Sequence, residues 1–144
     1  MRRCICGVSA IVGVLALFGC GSAKEKEFRR EANAICAAAA KRLDELPKPS
    51  SLAQVAKVAP REVAIRQEVI AQLGELSAPK NIAGGFGEVF ADQEARQGRA
   101  RAIMKAAKDK DEKELRKIRG EGKSEYKIEA GRAKAFGLGT CAEL

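Results

Sequence analysis

Five cysteines, two clusters of carboxylates and one cluster of glycines are the residues of this 144-residue chain whose types and spacing suggest chemistry. There is no histidine, which removes the commonest general base and the commonest metal ligand together. A cysteine nucleophile would therefore lack its usual activator. Asp44 with Glu45, and Asp109 with Asp111 and Glu112, raise the question of acid–base work, which a glycosidase does with two carboxylates across a cleft. These carboxylates stand at expected helix ends among lysines, where caps and dipole partners belong, so no residue receives a catalytic role. Asp109-Lys110-Asp111-Glu112 is also too short and too lysine-flanked for a calcium loop of the EF-hand kind. Gly84-Gly85-Phe86-Gly87 has neither the preceding strand nor the following Gly-Lys-Ser/Thr of a phosphate-binding loop, and reads as a soft helix start. No metal and no cofactor is expected.

The cysteines must be sorted by where they fall. Arg2 and Arg3 precede 20 uncharged residues, Cys4 to Ala23, with Ile11–Phe18 as the apolar centre. A positive start followed by an apolar run is the layout of a secretory signal. Within it, Leu17-Phe18-Gly19-Cys20 resembles the lipobox of bacterial lipoproteins, with an apolar residue three before the cysteine and a small one just before it. Phe18 departs from the smaller residue usual there. The resemblance implies cleavage between Gly19 and Cys20 and lipid on the Cys20 sulfur. It divides the chain into a signal peptide (1–19), a lipidated cysteine with a short linker (20–27) and a domain (28–144). Two or more acyl chains hold a protein stably on a membrane, whereas one does so only marginally. Two alternatives stay open. About 20 uncharged residues are long enough to span a bilayer, although Gly7, Gly13, Gly19 and Gly21 interrupt them, and an ordinary cleaved signal would release a free protein. Cys4 and Cys6 show a metal-like C-x-C spacing, but inside a signal they are apolar residues that are discarded.

Two cysteines then remain, Cys36 and Cys141. An exported protein sits where disulfides persist, and an even remainder of two fits one bridge. The alternative is that both are free and buried.

The elements that must position these residues are helical. Aromatic content is 4%, with no tryptophan, and small apolar residues mix with Glu, Lys and Arg, a helix-favouring composition. Phe28, Ala32, Ile35, Ala39, Leu43 and Leu46 recur at steps of three and four, predicting a first helix from about Glu25 to Leu46, with Cys36 at the edge of the stripe. Pro47 and Pro49 end it. Ser50 or Ser51 caps a second segment carrying Leu52, Val55 and Val58 or Ala59, which Pro60 breaks or bends before Val63, Val69, Ile70, Leu73 and Leu76 resume the pattern. A third helix spans about Asn81 to Lys108, with Ile82, Phe86, Val89, Phe90, Ala100, Ile103 and Ala107 on one side. A fourth starts at Asp109 or Asp111 and runs to Phe136, with Leu115, Ile118, Gly122, Tyr126, Ala130 and Ala133 facing inward. Gly137 suits a left-handed helix end with Leu138 as its apolar contact. Short proline- or glycine-bearing connections make this an all-α, up-and-down antiparallel bundle of about four helices, preceded by the signal peptide.

The arrangement resembles a group of small actinobacterial lipoproteins, in which a lipobox precedes a helical domain with one cysteine in the first helix and another after an Ala-x-x-apolar-Gly-Leu-x-x-Cys stretch, here Ala133 to Cys141. The likeness covers the mature chain. It implies a fold and an address, the outer face of the cell membrane or an outer membrane where there is one, and no chemistry.

Charge completes the reading. Lys and Arg number 27 against 19 Asp and Glu, a net of +8; without Arg2 and Arg3 the balance is 25 against 19, or +6. Such an excess could meet nucleic acid, an anionic membrane surface or an acidic partner; export makes nucleic acid the poorest of these, and no nucleic acid is expected. Residues 105–123 hold eight basic and five acidic side chains. Lys105, Lys108, Lys110, Lys113, Arg116 and Lys117 form a candidate basic face for an envelope protein or an anionic polymer, set against a plain solvated helix surface. The expected function is that of a membrane-anchored envelope lipoprotein with a non-catalytic binding or scaffolding role. The alternative is a bundle that binds a small apolar ligand between its helices.

Overall fold

The computed structural model describes residues 22–144. The expectations for the signal peptide, Gly19 and Cys20 lie outside the described residues. Four helices follow in order: α1 (Ala23–Asp44), α2 (Leu52–Glu75), α3 (Ala83–Lys108) and α4 (Glu112–Phe136), with a short 3-10 turn at Cys141–Glu143. No strand occurs among the described residues.

Helix α1 begins inside the stretch expected to be a linker. Ser22 caps it, its hydroxyl accepting from the Glu25 amide (3.3 Å), and Ala23 to Glu27 are mostly good helix formers. Its buried stripe is Phe28, Ala32, Cys36 and Ala39, so Cys36 lies at the centre of the stripe and Ile35 at its edge. Ser51 caps α2 through the Gln54 amide. The break expected at Pro60 is absent: α2 runs through it. Pro60 is exposed, which lets water meet the carbonyl its missing N–H leaves free, and packing on both sides holds the helix. Val55 and Ala59 bury against Ala107, while Ile65, Val69 and Leu73 enter the main core. The glycines at the start of α3 lie within the regular helix. Gly85 admits the Phe136 ring, whose Cε2 lies 2.9 Å from where a Cβ would stand.

Helix ends follow local rules. Lys110 at φ 57° closes α3 in the left-handed region, and the Asp111 amide donates back to the Ala106 carbonyl (2.9 Å). Asp111 then caps α4 through the Glu114 amide (2.9 Å). Gly137 adopts φ 89° at the end of α4, the Leu138 amide donates to the Ala133 carbonyl (2.8 Å), and Leu138 is fully buried. This is a Schellman-type end with its apolar contact.

The helices alternate in direction. Asn81 Nδ2 donates to Glu25 Oε1 (2.6 Å), placing the α2–α3 connection beside the start of α1. Arg96 and Arg132 reach Glu129 and Glu88, respectively, across the antiparallel α3–α4 pair. Helix α2 packs on α1 and α3, and α3 packs on α4, whereas α1 meets the end of α4 mainly through the C-terminal segment. Phe28 packs edge-on against Phe86 at 4.8 Å in the main core. Cys36 and Cys141 are bonded, with Cα atoms 4.9 Å apart, and both are fully buried.

The bridge spans 105 residues. Closing such a loop in the unfolded chain contributes roughly 4 to 5 kcal/mol in the chain-entropy account. Replacing both cysteines by alanine, or adding reductant, should lower the urea-unfolding free energy by an amount of that order and leave the helical circular-dichroism signal intact below the transition.

Candidate functional site

Three polar residues of α3 that the apolar pattern passed over are buried: Gln93, Arg96 and Gln97. They sit at the positions where the three-and-four spacing from Phe86 and Val89 to Ala100 must pass. On α4, Glu129 occupies the stripe between Tyr126 and Ala133 and is also buried. Arg96, 4% exposed, donates from Nε to Glu129 Oε2 (2.8 Å) and from Nη1 to the Cys141 carbonyl (3.1 Å). Gln93 Nε2 donates to the same carbonyl (3.1 Å). Arg99 Nη2 donates to Glu129 Oε1 (2.7 Å) and Nη1 to Glu125 (2.9 Å). One carboxylate between two guanidiniums is strongly hydrogen-bonded. Burial disfavours the charged form of Glu129, but the bonds from Arg99 and Arg96 outweigh it and hold its pKa below the ordinary value. Asp92 goes the other way: burial pushes its carboxyl up despite Arg132 Nε at 3.4 Å.

This network forms one end of a cleft. The cleft lies between α2, α3, α4 and Leu144 and has a volume of about 1020 Å³. Its inner surface presents Ala100, Ile103, Ile118 and Leu144, with Gly120 and Gly122 widening the α4 wall. Tyr126 stands over Arg96, ring centroid to Cζ 4.6 Å, and its hydroxyl donates to the Ala142 carbonyl (2.9 Å). The pattern had turned Tyr126 inward; it is 40% exposed, and Ile128 beside it is 64% exposed. Residues 118, 122 and 126 face the bundle, as their spacing indicated, but across a gap. Only Leu115, Glu129 and Ala133 of α4 are buried, so its middle stands clear of α2.

The basic face expected from the sequence stands at the α3–α4 turn, at the end of the bundle opposite Ser22, and its members are not equivalent. Lys105 pairs with Asp109 (2.6 Å), Arg116 with Glu112 (3.2 Å) and Lys117 with Glu114 (3.8 Å). Lys108, Lys110 and Lys113 are in no ion pair among the described residues. Asp109 and Asp111 serve as an ion-pair partner and a helix cap, and Glu112 as an ion-pair partner. Among the described residues, no three His, Cys, Asp or Glu cluster as metal ligands, and no helix is long and apolar enough to cross a membrane.

The chain matches no protein-family model, and neither the curated proteins nor the solved structures contain a significant match.

Removing Glu129 would leave buried Arg96 uncompensated, at a cost of about 3 to 5 kcal/mol. Because the folded pKa of Glu129 is depressed, its contribution is full above the unfolded carboxylate pKa and is lost as pH falls through the folded value. Asp92 has the opposite sign, its cost disappearing as pH falls. Chemical denaturation of wild type and Glu129→Gln from pH 7 downward should therefore show a gap that is largest at neutral pH and closes in acid.

Proposed function

We propose that this chain is an exported lipoprotein, anchored through lipid on Cys20, whose helical domain is a non-catalytic binding module for an apolar ligand held in the α2–α3–α4 cleft. One observation carries the binding part: among the described residues, both large apolar side chains left exposed, Tyr126 and Ile128, line this one cleft. Scattered exposed apolar residues need no explanation, but those gathered on a concave surface mark binding sites. A volume of about 1020 Å³ is at the upper end of the range for small-molecule sites. The main core lies mostly between the disulfide and the α2–α3 connection, so the fold does not depend on closing the cleft. The anchor rests on the charge layout and lipobox of residues 1–20, and α1 starting at Ala23 would set the domain close to the lipid.

Each half has its own test. Intact mass of the membrane-extracted protein should equal residues 20–144 plus a diacylglyceryl group; the unlipidated full chain would sink the anchor. For the cleft, the uncharged fluorophore N-phenyl-1-naphthylamine should brighten saturably with the soluble domain. A Cβ at Gly122 would meet Arg99 Cδ across the gap at 3.5 Å, an ordinary contact, so Gly122→Leu can reach into the space while removing a helix-weakening glycine. It should weaken the dye at least about tenfold with no loss of melting temperature. Absence of saturable binding would overturn the cleft as a ligand site.

A further inference from the structure

The reading of the cleft as an apolar-ligand site leaves the ligand's other end open, and the charges around the cleft address it. The cations deeper in the cleft are already matched. Arg66 pairs with Glu62 at 3.0 Å, Arg96 with Glu129 at 2.8 Å and Arg99 with Glu125 at 2.9 Å. Arg119, Lys123 and Lys127 also line the cleft, are exposed, and are in no ion pair among the described residues. Their spacing of four puts them on one side of α4, with about 6 Å of helix rise between neighbours. Like charges at this spacing repel one another and weaken the helix that carries them. An anion laid along the ridge would relieve that repulsion. Across from the ridge lie Ala100, Ile103 and Leu144. The cleft is therefore amphipathic, with an apolar inner surface beneath a basic lip.

A second observation comes from its floor. Arg96 is 4% exposed and lines the cleft, and its Nη2 has no hydrogen-bond partner. A buried guanidinium donor left without an acceptor is costly, although the charge of Arg96 is itself matched by Glu129.

We propose that the cleft takes a single-chain anionic amphiphile. Its acyl chain lies on Ala100, Ile103, Ile118 and Leu144, and its anionic head sits on the Arg119–Lys123–Lys127 ridge. The proposal rests on the apolar-site reading above and adds the sign and place of the head. Charge complementarity decides against a neutral or a cationic amphiphile, because a cationic head would meet three unmatched positive charges.

The test uses three probes with one chain length: dodecanoate, dodecanol and dodecyltrimethylammonium, each below its micelle concentration and at low salt, displacing N-phenyl-1-naphthylamine from the domain. Dodecanoate should displace the dye at a concentration at least about tenfold below that of dodecanol, and the ammonium should be the weakest. The triple variant Arg119→Glu, Lys123→Glu, Lys127→Glu alters only exposed side chains and should keep the wild-type melting profile. It should abolish the preference for dodecanoate while leaving dodecanol within about twofold. Equal displacement by dodecanoate and dodecanol in wild type would overturn the anionic head and leave the apolar site standing. A preference that survives the triple variant would overturn the ridge as its place. If the dye itself does not bind, this inference fails together with the reading it rests on.

Discussion

Helices α1 and α4 do not close the bundle by packing along their lengths. The space between them is filled by the chain's last residues, and that segment is fixed from two sides, by α1 and by α3. Cys141 is bonded to Cys36 of α1. Asn33, one turn earlier, donates to the Gly137 carbonyl (2.9 Å) and accepts from the Thr140 amide (3.2 Å). From α3, Gln93 and Arg96 donate to the Cys141 carbonyl. A segment without regular structure is costly to bury because its carbonyls need partners. Here the buried polar residues of α3 supply those partners, which explains why Arg96 and its counter-charge Glu129 are inside at all. The sharp left-handed turn at Gly137 then follows, because the chain must double back from α4 to reach α1. A side chain at that position would also meet Arg29 Nη1 at 2.7 Å.

The same closure explains why the molecule has two unlike ends. At the end that holds the α2–α3 connection the core is dense, with Phe28, Phe86 and Phe136 meeting in one cluster that also contains Leu73 and Leu138. At the far end a smaller cluster joins only α2 and α3, through Val55, Ala59 and Ala107. Helix α4 is buried where the C-terminal segment and Glu129 meet it and again at Leu115, with little burial between. A helix pinned at two points over a narrow partner leaves a gap, and the cleft is that gap.

The helices, their number and their caps were legible because each rests on local rules. Apolar residues at steps of three and four, Asp111 before α4, and Gly137 with Leu138 after it need only their neighbours in sequence. The pairing of Cys36 with Cys141 was legible by counting. Pro60 does not make the break its type suggested, because the effect of a proline depends on which side of the helix meets water. The polar core was hidden for a different reason: Gln93, Arg96 and Glu129 hold the right register but the wrong polarity for a pattern built on apolar residues. Opposite charges at inward positions of two neighbouring helices were the available signal. For Ile118, Gly122 and Tyr126, periodicity gave the direction each side chain faces and carried no information on the distance to what it faces, so the cleft could not be read from the sequence.

The bond between Cys36 and Cys141 also has a topological effect. Every connection between helices, at 45–51, 76–82 and 109–111, falls inside the covalent ring it closes. These connections are where a protease finds accessible backbone. A single cut in any of them yields two fragments that remain one covalent molecule, with each helix still facing its old neighbours. Damage that would scatter an open four-helix chain leaves this one nicked and assembled.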